Sequence, residues 1–216
     1  MKRDRVLKAS IAIALMSMTV IGGSIAFFRA ETQADNRMTS TNLDVTLMEG
    51  ETDGGIKKLN SDSVTLDNVA PGASIDRELY VKNVKESPSY VRVTLTKYWE
   101  DAKGEKMPDL KSDQILINLP DQENWIVVND KNDENVYMYY RLPLESGEQT
   151  SAFMDKIQIG ENGSSLNNKY TNLNAQVDVE VDAIQKYAAK EAILSEWGLD
   201  IQFDENGIMK DNQVIE

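Results

Sequence analysis

Apolar residues recur at every second position over most of this chain. Leu43, Val45 and Leu47 alternate with Asp44 and Thr46, Val64 and Leu66 flank Thr65, Leu79 and Val81 flank Tyr80, and Val91, Val93 and Leu95 alternate with Arg92, Thr94 and Thr96. Successive side chains of a strand point to opposite faces, so a period of two puts one face of each segment in a core and the other in water. The pattern returns at Ile115, Ile117 and Leu119, from Trp125 to Val128, from Val136 to Tyr140, and at Ile157 and Ile159. It is longest near the end, where Leu173, Ala175, Val177, Val179, Val181 and Ala183 face one way and Asn174, Gln176, Asp178, Glu180 and Asp182 the other.

Turn-forming stretches separate these runs, at residues 51–55, 70–72, 101–104, 129–135, 145–147 and 161–165. About nine short strands so spaced predict an all-β fold, an antiparallel two-sheet sandwich of jelly-roll or immunoglobulin-like kind. A helical period enters only over residues 186–197, where Tyr187, Ile193, Leu194 and Trp197 are expected to share a face before Gly198 ends the helix. The tail, residues 199–216, carries a hairpin signal at Glu205-Asn206-Gly207.

The N-terminus follows neither period. Lys2, Arg3, Arg5 and Lys8 precede an apolar run, and Ser24 and Ala26 place small residues before Phe27, the pattern of a cleaved export signal over residues 1–26. The run reaches Phe28, long enough to raise an uncleaved membrane anchor as the alternative, but Gly22-Gly23 and the Ser24/Ala26 pair favour cleavage. The expected organisation is a signal peptide (1–26), a mature N-terminal segment (27–42), a β-sandwich (43–185) and a C-terminal helix and tail (186–216). The expected location is secreted, in the extracellular matrix or at the cell surface. The chain shows no LPxTG-like sorting signal, which argues against covalent anchoring to a wall.

Charge narrows the partners. The leader holds four Lys/Arg and one Asp, so the remaining 190 residues carry 19 positive and 35 negative residues, a net charge of −16. Nucleic acid and anionic membrane surfaces repel such a chain. The absence of both His and Cys excludes a Ser-His-Asp triad, a thiolate nucleophile and a His-based zinc site, and leaves carboxylate, Lys, Tyr or Ser/Thr chemistry. No pair of acids stands out by spacing, so a non-enzymatic role with no cofactor is expected.

Several features carry two readings. The loop with Asp130, Asn132, Asp133 and Glu134 offers oxygens for Ca²⁺ but lacks the glycine and distal glutamate of a calcium loop, and reads more simply as a polar turn. Tyr137, Tyr139 and Tyr140 form either a glycan or partner surface or strand packing on both faces of a sheet. Trp99 and Trp125 read as core or sheet-edge residues. Asp178, Glu180 and Asp182 make a like-charged stripe that needs cations opposite it, or else guards a strand from unwanted pairing. The mature N-terminus, with Phe27 and Phe28, a polar middle and then Leu43, Val45 and Leu47, has the form of an extended segment able to add to a neighbour's open sheet edge.

The leader ending Gly22-Gly23-Ser24-Ile25-Ala26, the Phe27-Phe28 start, the strand at Asn42-Leu43-Asp44-Val45 and the stretch NVAPGASIDRELYVKN (68–83) together resemble the TasA/camelysin (CalY) family, secreted proteins of Gram-positive bacteria processed by a SipW-type signal peptidase. Asn42 stands where that family often has Gly, and Ala73 where it often has Asp. The stretch containing Trp125, Tyr137 to Tyr140, Pro143-Leu144, Gly147-Glu148 and Thr150 is similar to clostridial relatives, and the last strand matches the family's closing strand in character. The resemblance implies a jelly-roll domain in extracellular fibres of a biofilm matrix, with the N-terminal segment of one subunit completing the sheet of the next. It implies as partners further copies of the chain in an oligomer or fibre, an accessory matrix protein, and the signal peptidase during export. It also brings an alternative, the metallo-endopeptidase activity described for camelysins; without His, such a site would have to be built from carboxylates, which suit Ca²⁺ or Mg²⁺ better than zinc. A soluble cation- or glycan-binding module is the third reading.

If residues 1–26 are an export signal, N-terminal sequencing of the secreted protein will begin at or within a few residues of Phe27, and Ala26→Arg will leave the precursor membrane-bound. Recovery of Met1 on the secreted form would refute the cleavage site.

Overall fold

The structure, a computed structural model, describes residues 45–210 apart from 52–53, 60, 68–69, 129–133, 161–167 and 171. Ten strands form two sheets: β1 (Val45–Gly50), β2 (Ile56–Lys58), β3 (Ser63–Leu66), β4 (Ser74–Asn83), β5 (Ser89–Glu100), β6 (Ile115–Asn118), β7 (Trp125–Val128), β8 (Asn135–Tyr140), β9 (Met154–Ile159) and β10 (Asn174–Gln185). The first sheet runs β2-β1-β4-β9-β6 and the second β3-β10-β5-β8-β7, and every pairing is antiparallel. Only β1–β2 and β7–β8 pair with their sequence neighbour; every other link crosses from one sheet to the other, as in a jelly roll. The all-β sandwich read from the alternation is therefore the fold observed.

The long pair β5–β10 is the spine of the second sheet, in unbroken register from Asn174 opposite Glu100 to Gln185 opposite Ser89. Its inward residues Val91, Val93, Leu95, Val177 and Val179 meet Leu79, Val81, Ile157 and Ile159 of the first sheet in one buried core. Trp125 packs there on Tyr140 (5.0 Å between centroids) and Phe153 (5.9 Å), and its indole N–H donates to Ser151 Oγ at 3.2 Å. Trp99 is buried against Tyr170, its indole N–H donating to the Lys111 carbonyl at 2.9 Å. Both tryptophans are thus core residues whose polar atoms are satisfied inside the fold.

One inward position breaks the apolar alternation. Lys97 lies between Leu95 and Trp99 on the inward face, only 1% exposed, and its ammonium donates to the Ile115 carbonyl of the facing sheet at 3.3 Å. A buried ammonium requires such partners, because desolvation without them costs several kcal/mol.

The tight loops at 51–55, 101–105 and 204–208 repeat one solution. The first residue's N–H donates to the carbonyl of the fifth, at 2.7, 2.9 and 2.9 Å respectively, and a glycine in fourth place donates back to the first. Gly207 shows why the glycine is needed: its φ is 79°, and a Cβ there would stand 3.1 Å from the Tyr90 hydroxyl.

The C-terminal helix corrects the sequence reading in its phase. A single 3-10 turn, Lys186–Ala188, precedes α1 (Ala189–Trp197), so the packed face is Ala189, Ile193 and Trp197. Tyr187 is 87% exposed and Leu194 52% exposed, away from the face they were expected to share. Gly198 ends the helix in the left-handed region, as predicted. The tail then folds back in the expected hairpin, with Phe203 bridged to Met209. Ala189, Ile193, Leu199, Ile201 and Met209 bury a second cluster against Tyr90, Ile126 and Tyr139 on the outer face of the second sheet.

Trp125→Ala should lower the free energy of unfolding by about 3–5 kcal/mol, as expected for an aromatic lost from a packed core. Val127→Ala, two positions along the same strand at a site 37% exposed, should cost less than about 1 kcal/mol. Urea titrations of the two variants against the parent check the contrast.

Candidate assembly site

Strand addition needs an unpaired edge, and among the described residues the strand order leaves four, β2 and β6 in the first sheet and β3 and β7 in the second. They differ chemically. β2 is three exposed residues, two of them lysines, and the Lys57 ammonium reaches Glu49 at 3.7 Å and Glu51 at 3.5 Å. Glu49 is itself held by Arg77 at 2.7 Å. Charges of this kind blunt an edge. β3 is short and laced with hydroxyls, Ser63 Oγ accepting from Gln176 at 2.8 Å. Like β3 (SVTL), β6 (ILIN) and β7 (WIVV) contain no charge, proline or glycine, but unlike it they carry no hydroxyl.

β7 is also the better-built template. Trp125 enters the main core while Ile126 enters the cluster beneath the C-terminal helix, so both faces of this edge strand are anchored. Val127 shares the inward alternation of Trp125 yet stays exposed. On β6, Ile117 is only partly covered, as is Leu119 just after it.

The sequence-predicted assembly residues divide. Phe27, Phe28 and Leu43 lie outside the described residues, as do Ser24 and Ala26 of the cleavage site. Val45 and Leu47 sit in β1 of the chain's own first sheet, paired with β4 from Val45 opposite Asn83 to Glu49 opposite Leu79. Val45 is 2% exposed, and the Leu47 carbonyl accepts the Leu59 N–H at 3.0 Å. A donor drawn from the N-terminus is therefore confined to residues before Val45.

Of the candidate calcium loop, Asp130, Asn132 and Asp133 lie outside the described residues. The Glu134 carboxylate pairs with the Lys106 ammonium, and its carbonyl accepts the Lys97 N–H at 2.7 Å. Among the described residues no three His, Cys, Asp or Glu side chains are grouped to hold a metal ion, and no helix is long and apolar enough to cross a membrane. The tyrosines split as strand packing requires: Tyr140 faces the main core, and Tyr139 and Tyr137 face the outer cluster. Two of the three acids in the stripe find partners on β5, Arg92 bonding Asp182 at 2.6 and 3.0 Å and the Tyr98 hydroxyl donating to Asp178 at 2.9 Å, while Glu180 is exposed. Burial, followed by the Asp178 charge, pushes the Glu100 carboxyl upward beside them.

Three loop aspartates shift the other way. The Ile208 and Asn206 N–H groups donate to Asp204, both at 2.8 Å, and the Glu105 and Lys103 N–H groups to Asp101, at 2.9 and 2.8 Å. Each carboxyl is held below its ordinary range by these bonds, led by Ile208 and Glu105. Beside β7, burial alone would raise Asp121, but hydrogen bonds from Ser151, Asn124 and Glu123 outweigh it and bring the pKa down.

No protein-family model, curated protein or solved structure matches the chain.

The lowered aspartates set a pH dependence. The unfolded chain binds protons at these groups near pH 4, above the folded values, so their stabilisation is present above about pH 4 and disappears as pH falls through the folded range. Urea midpoints should hold from pH 7 to 5 and drop below about pH 4. Asp121→Asn should lower the midpoint at pH 7 and flatten the acid limb.

Proposed function

We propose that the chain is a secreted structural protein of an extracellular, biofilm-type matrix that assembles into fibres by strand addition. Residues 27–42 of one copy supply the donor, and the uncharged edge β7 of the next receives it. The observation that carries the reading is Val127, an inward-facing core-type side chain left in water on an edge strand of four apolar residues. An incoming strand would satisfy the bare main-chain groups of β7 and cover this valine with an alternate side chain of its own. The lysines of β2 favour one growth edge over the other. The net charge of −16 on residues 27–216 opposes association and makes it sensitive to acid and to divalent cations.

The test is electron microscopy and sedimentation of the purified mature protein at rising concentration. The parent should form fibres, faster at low pH or with added Ca²⁺. Deletion of 27–42, or Val127→Lys on the acceptor edge, should leave a folded monomer whose unfolding free energy lies within about 1 kcal/mol of the parent's. Val45→Pro is unsuitable as a test, because Val45 belongs to the chain's own core. Normal fibres from the deletion variant would remove the N-terminal segment as donor, and a parent monomeric at every concentration and pH would favour a binding module instead.

A further inference from the structure

The outer face of the second sheet is divided. Along the Asn174–Asp182 part of β10 and the Thr94–Tyr98 part of β5 it is polar, but across Tyr90, Ile126, Tyr139 and Ile184 it is apolar, and the C-terminal segment lies on that half. The main core contains no residue of this segment, so the sandwich buries its own interior without it. The segment is fastened at separate points: the Tyr90 hydroxyl donates to the Gly207 carbonyl at 2.6 Å, the Met209 N–H donates to the Arg141 carbonyl at 2.9 Å, and Trp197 lies on Tyr139 with the Arg92 guanidinium 5.5 Å from its ring centre. Where it leaves the sandwich, Gln185, Tyr187 and Ala188 are exposed, and the ties between them are those of half-buried Lys186, whose N–H donates to the Pro88 carbonyl at 2.9 Å and whose ammonium lies 3.8 Å from Glu145; opening the link breaks both. A complementary segment, seated on an apolar face and joined to its domain through an exposed link, has the elements needed to pass from one copy to another at little cost, since every contact made within a chain can be remade between chains.

We propose that the apolar half of this face is an interaction surface for the C-terminal segment of a second copy, and that residues 186–210 exchange between copies when the link opens. The exchange is independent of the N-terminal donor.

Two full-length variants test it by complementation. Ile193→Asp spoils the segment and leaves the face intact, whereas Ile126→Asp spoils the face and leaves the segment intact. Each alone should be monomeric, keep the cooperative unfolding of the sandwich, and show amide exchange over residues 189–210 faster than the parent by about 100-fold or more, while Val93 and Val179 stay protected. Mixed, the two should form a 1:1 complex in sedimentation velocity, and the double variant should form none. The pair is repeated without residues 27–42, so that strand addition cannot supply the complex. A mixture that stays monomeric although both segments are released would overturn the proposal. So would a variant in which β5 and β10 lose protection together with the segment, since the segment would then be integral to the sandwich.

Discussion

The β5–β10 register is the constraint on which the rest of the molecule depends. Because strand side chains alternate, a slip of one residue would turn Val91, Val93, Leu95, Val177, Val179 and Val181 to solvent and bring Arg92, Asp178, Glu180 and Asp182 inside. Both faces of the pair resist that slip. Inward, the valines fill the main core; outward, Arg92 meets Asp182 across the strands, Tyr98 reaches Asp178, and Tyr90 with Ile184 enters the second cluster. Asp178 and Asp182 of the acidic stripe are therefore part of what holds the strand in place, since this register brings them to Tyr98 and Arg92.

A sandwich with a fixed spine must still end, and the two sides of each sheet end differently. On the β2 side the first sheet closes with lysines, whose ammonium groups would have to be desolvated by any strand laid beside them. At β6 and β7 no such cost is imposed. An edge that is merely unprotected is a liability, but β7 is held by Trp125 on one face and by Ile126 on the other. A template already ordered would lose little entropy in accepting the strand proposed to pair with it.

The legible parts of the fold were those with one buried face. Every alternating run is a strand or contributes to one, save the portion before Val45 that lies outside the described residues. What was not legible has particular causes. β2 is exposed throughout, so no periodicity announces it, and only its pairing with Met48 to Gly50 makes it a strand. Lys97 interrupts the inward series after Leu95, and nothing local tells that its ammonium finds the Ile115 carbonyl in the other sheet. The helix face was misjudged because the 3-10 turn over residues 186–188 resets the phase before α1 begins. The second cluster was missed because its members, Tyr90, Ile126 and Tyr139, are the outward residues of strands whose inward neighbours accounted for the pattern. For the candidate site, the residue types of β7 were plain in the sequence, but its place at the edge follows from strand order, which alternation does not encode.

The second cluster also changes how β7 and β8 are to be understood. Trp125 and Ile126, and likewise Tyr140 and Tyr139, are adjacent residues buried on opposite sides of the sheet. At this end the protein is three layers deep: first sheet, second sheet, and C-terminal segment. Elsewhere the outer face of the second sheet carries hydroxyls and carboxylates and needs no cover. A two-layer sandwich would leave β7 held on one face only, free to fray from β8 as short edge strands do. With the third layer in place, release of the strand would uncover apolar surface on both sides at once. The C-terminal segment thus acts on the edge from behind, by burying Ile126 and so fixing the strand that forms it.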